Sequence, residues 1–330
     1  MVLKDSKGLK KGESVKQAIN SVRDRDKDKN ANYRQVSGID AQGQVFAFTG
    51  QSLKYWQGHA AEILGDQYVV MGNQLAPKVL TTMSSTFKHS NGTLAERLLK
   101  SLIAGQNVGG QISGKQSAAI VVKGINNEWY NQIDLRVDHS KTPFKQLQTL
   151  MDYHYGRIKL NQALYAHRKG HREQAKTKLA EAELMLDGWT GMYARVAVAN
   201  VLVSDENSAI QWLKKGLKEN VNWSVNIPAF YFLRNHPEIK PFIKPDTFST
   251  QDWESAIQLL SQLGKESEII ELAKKLKQQQ IESSYLHFLV GRSYFYEKEL
   301  KQAIQHLKQS LMMDSENIEA KTLLKEIKGD

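Results

Sequence analysis

SYLHFLVGRSYFYEKELKQAIQHLKQSLMMDSEN, residues 284–317, is the stretch on which the reading of this chain turns. Gly291, Tyr294, Ala303 and Leu307 stand where a helix–turn–helix repeat of about 34 residues places them. The small Gly and Ala let two antiparallel helices approach closely, and Tyr and Leu fill the seam between them. Working toward the N-terminus, Ala175 in HREQAKTKLAEA and Ala209 in ENSAIQWLKKG lie one such period apart, each in a second-helix pattern. Trp253 to Leu276 supplies a more degenerate helix pair. The recurrence predicts about four stacked pairs rather than an ordinary bundle. An irregular insertion, Val221 to Phe248, interrupts them and holds four of the six prolines.

The region from 151 to 330 therefore reads as an all-α, tetratricopeptide-like domain. Stacked helix pairs build a concave surface, and such surfaces hold peptides or neighbouring domains. A peptide or protein partner on that surface is the expectation.

Before Pro143 the pattern is different. Val15 to Val22 reads as a short helix, and the alternating charges of RDRDKDK, Arg23 to Lys29, as a solvated turn. RQVSGID and QVFAFTG, either side of Gln42 and Gly43, have the period-two alternation of a β-hairpin. Tyr68 to Met71 is a second short apolar run, and Leu75 to Phe87 looks helical. LAERLLKSLIA follows Thr93 at helical spacing, with Gly105 as its expected C-cap. Ser117 to Val122 and Ile133 to Val137 return to strand character around a turn at Gly124 to Asn127. Strands and helices in blocks favour a layered α+β domain over residues 1–150.

Composition narrows the function classes. The 330-residue chain has no cysteine, so disulfides, thiolate nucleophiles and thiolate metal sites are excluded. No apolar run approaches the roughly 20 residues that span a bilayer. The net charge of +10 is spread along the whole chain, which argues against a nucleic-acid footprint. Lys4, Lys7, Lys10, Lys11 and Lys16 lead the chain without the apolar core of a signal peptide. As written the chain reads as cytoplasmic; a longer N-terminus would allow a periplasmic or secreted protein.

Motifs for chemistry are sparse. GGQISGK, Gly109 to Lys115, fits the phosphate-loop spacing, but a helix precedes it, a strand follows it, and Gln116 stands at the Ser/Thr position. No cofactor is expected. Nine histidines include no HExxH, and no metal site is expected; His167 and His171, spaced i, i+4, read as the polar face of a helix. WQGH, Trp56 to His59, puts an aromatic ring, a glycine and an imidazole in one loop. GNQL, Gly72 to Leu75, could offer the Asn73 amide and backbone N–H groups to an oxyanion or carboxylate.

Five blocks in order, RQVSGIDAQGQVFAFTG, WQGHAAEILGDQYVVMGNQLAP, LAERLLKSLIAG, GKQSAAIVV and DLRVDHSKTPFKQL, resemble an uncharacterised bacterial family, domain of unknown function 1028. It is placed in the N-terminal-nucleophile (Ntn) hydrolase superfamily. The resemblance covers roughly residues 8 to 155 and implies a four-layer αββα sandwich and hydrolysis of an amide-type bond. In that superfamily a leading Thr, Ser or Cys attacks while its own α-amino group serves as base. This chain begins inside the family's first helix region, around Gly8 to Gly12, and Val2 offers no nucleophile. Thr93, which self-cleavage after Gly92 would expose, reads instead as the N-cap of a helix, in a capping box with Glu96.

Two readings follow. One is a binding or scaffold protein, a nucleophile-less relative of the hydrolase joined to a repeat array, its open sheet edges covered by a second copy. The other is a truncated amide hydrolase, with His59, Asn73, Gln116, Ser117, Asp134, Arg136 and Asp138 positioning substrate and stabilising the oxyanion.

Overall fold

The computed structural model describes residues 12–125, 128, 131–219 and 221–329. The leading lysines before residue 12 and part of the turn at 124–127 lie outside the described residues. The chain divides into two compact units, Met1–His154 and Tyr155–Asp330.

In the first unit, α1 (Val15–Arg25) begins at Ser14, whose hydroxyl accepts the Gln17 N–H in a capping box. Its buried face, Val15, Ala18 and Ile19, covers the hairpin of β1 (Gln35–Ile39) and β2 (Val45–Thr49). Gly38 is required there, since a Cβ would stand 2.6 Å from the Val15 side chain. RDRDKDK is not simply a solvated turn: the helix continues to Arg25, and Arg34 pairs with Asp26 at 2.5 Å and Asp28 at 3.2 Å.

A second hairpin, β3 (His59–Gly65) with β4 (Tyr68–Leu75), packs on the first. It contacts α2 (Val79–His89), on which α3 (Leu94–Asn107) packs in turn. The order of contact is thus helix, hairpin, hairpin, α2, α3. The strands do not merge into broad sheets: among the described residues they form three two-stranded antiparallel sheets, the third being β5 (Ala118–Val122) with β6 (Ile133–Val137). The Thr93 and Glu96 capping box forms as expected. Gly105 does not end its helix. It lies buried inside α3, where a Cβ would meet Met83 of α2 at 2.6 Å, so it serves the close crossing of the two helices.

The second unit is helical. The end of α4 (Pro143–Arg168) packs against α5 (Arg172–Leu186), with Gly156 leaving room for Met185 and Leu186. After them come α6 (Tyr193–Val203), α7 (Glu206–Glu219), α8 (Thr250–Gln262), α9 (Glu266–Gln278), α10 (Ser284–Tyr296), α11 (Leu300–Met313) and α12 (Ile318–Lys328). The starts recur: α8, α10 and α12 begin 34 residues apart, as do α9 and α11, and α5 and α7. The caps share that period. Ser249, Ser283 and Asn317 each accept a backbone N–H three residues on. Gly291 of α10 faces Leu307 and Ala303 of α11, where a Cβ would come within 3.1 Å of Leu307.

The insertion between α7 and α8 is a chain of 3₁₀ turns that contributes side chains to the core, while its Val225 and Phe242 are exposed. Trp223, Ile227, Phe230, Leu233, Ile239 and Ile243 are all buried. Trp223 lies against Gly216 and donates its indole N–H to the Thr190 carbonyl at 3.1 Å. The unit has two hydrophobic clusters, one spanning α4 to the insertion and one spanning α8 to α12; Tyr231, Phe232 and Phe248 pack against both.

Candidate functional site

Between the two stacked hairpins runs a chain of polar contacts. The pairing of β3 with β4 slips between His59 and Ala61, and Gln74 takes the left-handed conformation there, φ 52°. Such a bulge re-aims side chains. Asn73 donates its side-chain amide to Oε1 of Gln35 at 2.7 Å. Gln35 donates in turn to the Gly72 carbonyl at 2.9 Å and the Thr49 hydroxyl at 3.1 Å. The Thr49 hydroxyl donates to the Glu62 carboxylate. A cleft of about 410 Å³ opens beside Thr49 and Glu62. Of this group the sequence singles out Asn73 alone. Gln35, Thr49 and Glu62, each half-buried, come together only through the contact between the two hairpins.

The other sequence candidates do not join this cluster. His59 is exposed, opposite Leu75 in the ladder. Gln116 and Ser117 are exposed beside the third hairpin, the Gln116 carbonyl accepting the Ser140 N–H at 2.8 Å. Asp134 and Arg136 alternate on the exposed face of β6. Arg136 pairs with Asp138 at 2.7 Å, and that hydrogen bond raises its pKa. Both side chains are more than half exposed, so the pair contributes little to stability. The candidates thus fall on two hairpins.

GGQISGK uses its backbone structurally. The Gly110 carbonyl accepts the Ala76 N–H and the Ile112 N–H donates to the Gln74 carbonyl, both at 2.9 Å, so the loop pairs with the end of β4. His167 and His171 do not share a helix face: α4 ends at Arg168, Gly170 turns the chain at φ 77°, and His171 stands at the N-cap of α5.

Two features of the helical unit were not singled out from sequence. At the N-terminal ends of α10 and α12, a pocket of about 420 Å³ is lined by Glu254, Tyr285, Asp314, Glu316 and Glu319 among others. Burial raises the Tyr285 pKa; the Arg292 guanidinium opposes the rise, and the Glu319 and Glu254 carboxylates add to it. In the seam of α9, α10 and α11, His287 and His306 meet Nδ1 to Nδ1 at 3.0 Å beside a cleft of about 190 Å³. Burial lowers the pKa of both rings, that of His306 to about 4, with the neighbouring His287 and Lys277 adding to the fall. Among the described residues no three or more His, Asp or Glu side chains converge as a metal site.

A family of unknown function, DUF1028, matches residues 4–147. A crystal structure of a protein from Silicibacter pomeroyi, assigned to the same family, is similar at 28% identity, with a TM-score of 0.38. The likeness covers 44% of this chain, and the chain spans 62% of the length of that protein. No curated protein matches the chain.

Proposed function

We propose that this is a binding protein whose helical unit, a tetratricopeptide-like array, holds a peptide segment of a partner. The observation that carries this reading is the recurrence of helix starts and caps every 34 residues from α8 to α12. Helix pairs stacked at a constant period expose one row of first helices, which is a surface suited to an extended ligand. The acidic pocket at the ends of α10 and α12 specifies the chemistry of that ligand. In a chain of net charge +10, a local group of Glu254, Asp314, Glu316 and Glu319 around the Tyr285 ring favours a basic segment.

The test is fluorescence anisotropy of labelled Lys/Arg-bearing peptides and their acidic counterparts against the full chain. Basic peptides bind, salt weakens them, and Glu254→Gln combined with Glu319→Gln weakens them further. Equal binding of both sets, or none, overturns the reading.

An amide-hydrolase reading of the first unit has the succession of helix, hairpin, hairpin and helices in its favour. It has less support from the side chains. The proposed positioning residues lie exposed on two hairpins, and the Asn73 amide is engaged by Gln35. Turnover of chromogenic amide substrates by the full chain would reverse this preference.

A further inference from the structure

We propose that the cleft in the seam of α8, α9, α10 and α11 binds a small monocarboxylic acid, its apolar body the size of an aromatic ring and its carboxylate beside Lys277. The space measures about 190 Å³, and an apolar cavity of roughly 150 Å³ holds benzene. The buried part of the lining is apolar: Ile257 of α8, Leu276 of α9, and Leu286 and Val290 of α10. Ile281 completes that wall. Past the end of α9, Gln280 takes the left-handed conformation, φ 59°, and the Ile281 N–H donates to the Leu276 carbonyl at 3.0 Å. Such a helix ending folds the residue after the turn back onto the helix it leaves.

The polar part of the lining selects the charge. His287 and His306 meet Nδ1 to Nδ1 at 3.0 Å, one ring donating to the other, and Tyr294 stacks on His306 with centroids 5.4 Å apart. Burial lowers the pKa of both rings and keeps them uncharged at neutral pH. They offer the ligand dipoles and a flat wall.

Charge comes from two ammoniums on α9. Lys274 is already held by Glu271 at 2.6 Å, whereas Lys277 forms no ion pair among the described residues. The Lys277 charge reaches both rings: it adds to the fall in pKa that burial begins, against the opposing Glu282 at His287. Glu282 is the acidic residue of the lining and lies 4.0 Å from His287 Nε2. An apolar cleft with one uncommitted ammonium at its rim complements a single negative charge on an apolar body. A second carboxylate on the ligand would find only Lys274, which Glu271 has engaged, so the class is a monoacid.

This cleft shares no lining residue with the acidic pocket at the ends of α10 and α12, and its occupancy does not depend on peptide binding there. The test is calorimetric titration of the full chain with 3-phenylpropionate, with 3-phenylpropionamide, which has the same shape without the charge, and with an N-acetylated octapeptide ending in phenylalanine. The acid binds at one per chain and the amide at least about tenfold more weakly. Lys277→Gln weakens the acid by about tenfold and leaves the amide unchanged, a split that altered packing does not produce. Lys277 is exposed, so this variant keeps the fold. Lys274→Gln weakens the acid less, and Ala273→Leu, which narrows the cleft, weakens acid and amide alike. Absence of acid binding, equal affinity for acid and amide, or full acid affinity in Lys277→Gln or Ala273→Leu overturns the assignment. An octapeptide that binds more tightly than the free acid also overturns it, since the cleft then takes a chain terminus.

Discussion

Glu183 accepts the indole N–H of Trp212 at 2.7 Å, and the same carboxylate oxygen accepts the Asn200 side-chain amide at 2.7 Å. One acceptor on α5 thereby satisfies a donor on each of α6 and α7. Removing that acceptor leaves the Trp212 indole N–H without its partner, at about 1–3 kcal/mol, while the Asn200 amide keeps its bond to the Val196 carbonyl. Glu183→Ala should destabilise the helical unit by an amount in that range, read from urea unfolding. Glu183→Gln keeps an acceptor oxygen and should lose less.

Asn317 has two roles that can be separated. Its carbonyl oxygen caps α12 by accepting the Ala320 N–H, while its amide donates to the hydroxyls of Ser284 and Ser310. Asn317→Ala removes both and should cost about 1–2 kcal/mol or more. Asn317→Asp retains the cap and loses the donors, so the difference between the two variants in thermal melts measures the tie from α12 to the preceding pair.

Gly291 and Gly216 mark close approaches. A Cβ at Gly291 would stand 3.1 Å from Leu307, and one at Gly216 would stand 2.3 Å from the Trp223 ring. Gly216→Ala should therefore be the more damaging, costing about 1–3 kcal/mol as an overpacked core does. Gly291→Ala should be mild because Leu307 has only to yield by a few tenths of an ångström. The reverse ranking in denaturant midpoints would contradict this packing.

Stability should also fall with acid in a window set by His306. Its folded pKa of about 4 lies below the ordinary histidine value of 6.5. Between those values the unfolded chain binds more protons than the folded one, so stability drops as pH falls from 6.5 to 4. Carboxylates held low by their partners, such as Glu181 beside Lys159 and Asp205 at the Ser208 N–H, lose their contribution only at still lower pH. His287, whose pKa burial also lowers, adds to the fall, so His306→Phe should reduce the slope of the melting temperature across the upper window and leave the acid limb below it intact.

The helix pairs were legible because Gly291, Ala303, Ala175 and Ala209 mark contacts that only small residues allow, and those contacts repeat. The insertion was not legible as core. Trp223, Ile227, Phe230 and Ile239 follow neither a helical nor a strand period, since 3₁₀ turns interrupted by proline impose neither. Gly105 was misread for a related reason: glycine at a helix end and glycine at a helix crossing look alike until Met83 is placed opposite. In the first unit Asn73 could be found because it sits in a turn-like GNQL. Gln35, Thr49 and Glu62 meet only when one hairpin is laid on another, which no spacing along the chain encodes.

The position of Tyr231, Phe232 and Phe248 against both hydrophobic clusters has a consequence for how the helical unit comes apart. Each cluster is a candidate foldon, and the aromatic rings are the coupling between neighbours in a nearly one-dimensional array. Tyr231, Phe248 and Trp253 pack edge to face, with centroids 4.9 to 6.3 Å apart. With those rings in place the two halves should melt as one. Trimming Phe248 should uncouple them, so that amide exchange in α10 to α12 becomes fast while α5 to α7 stay protected.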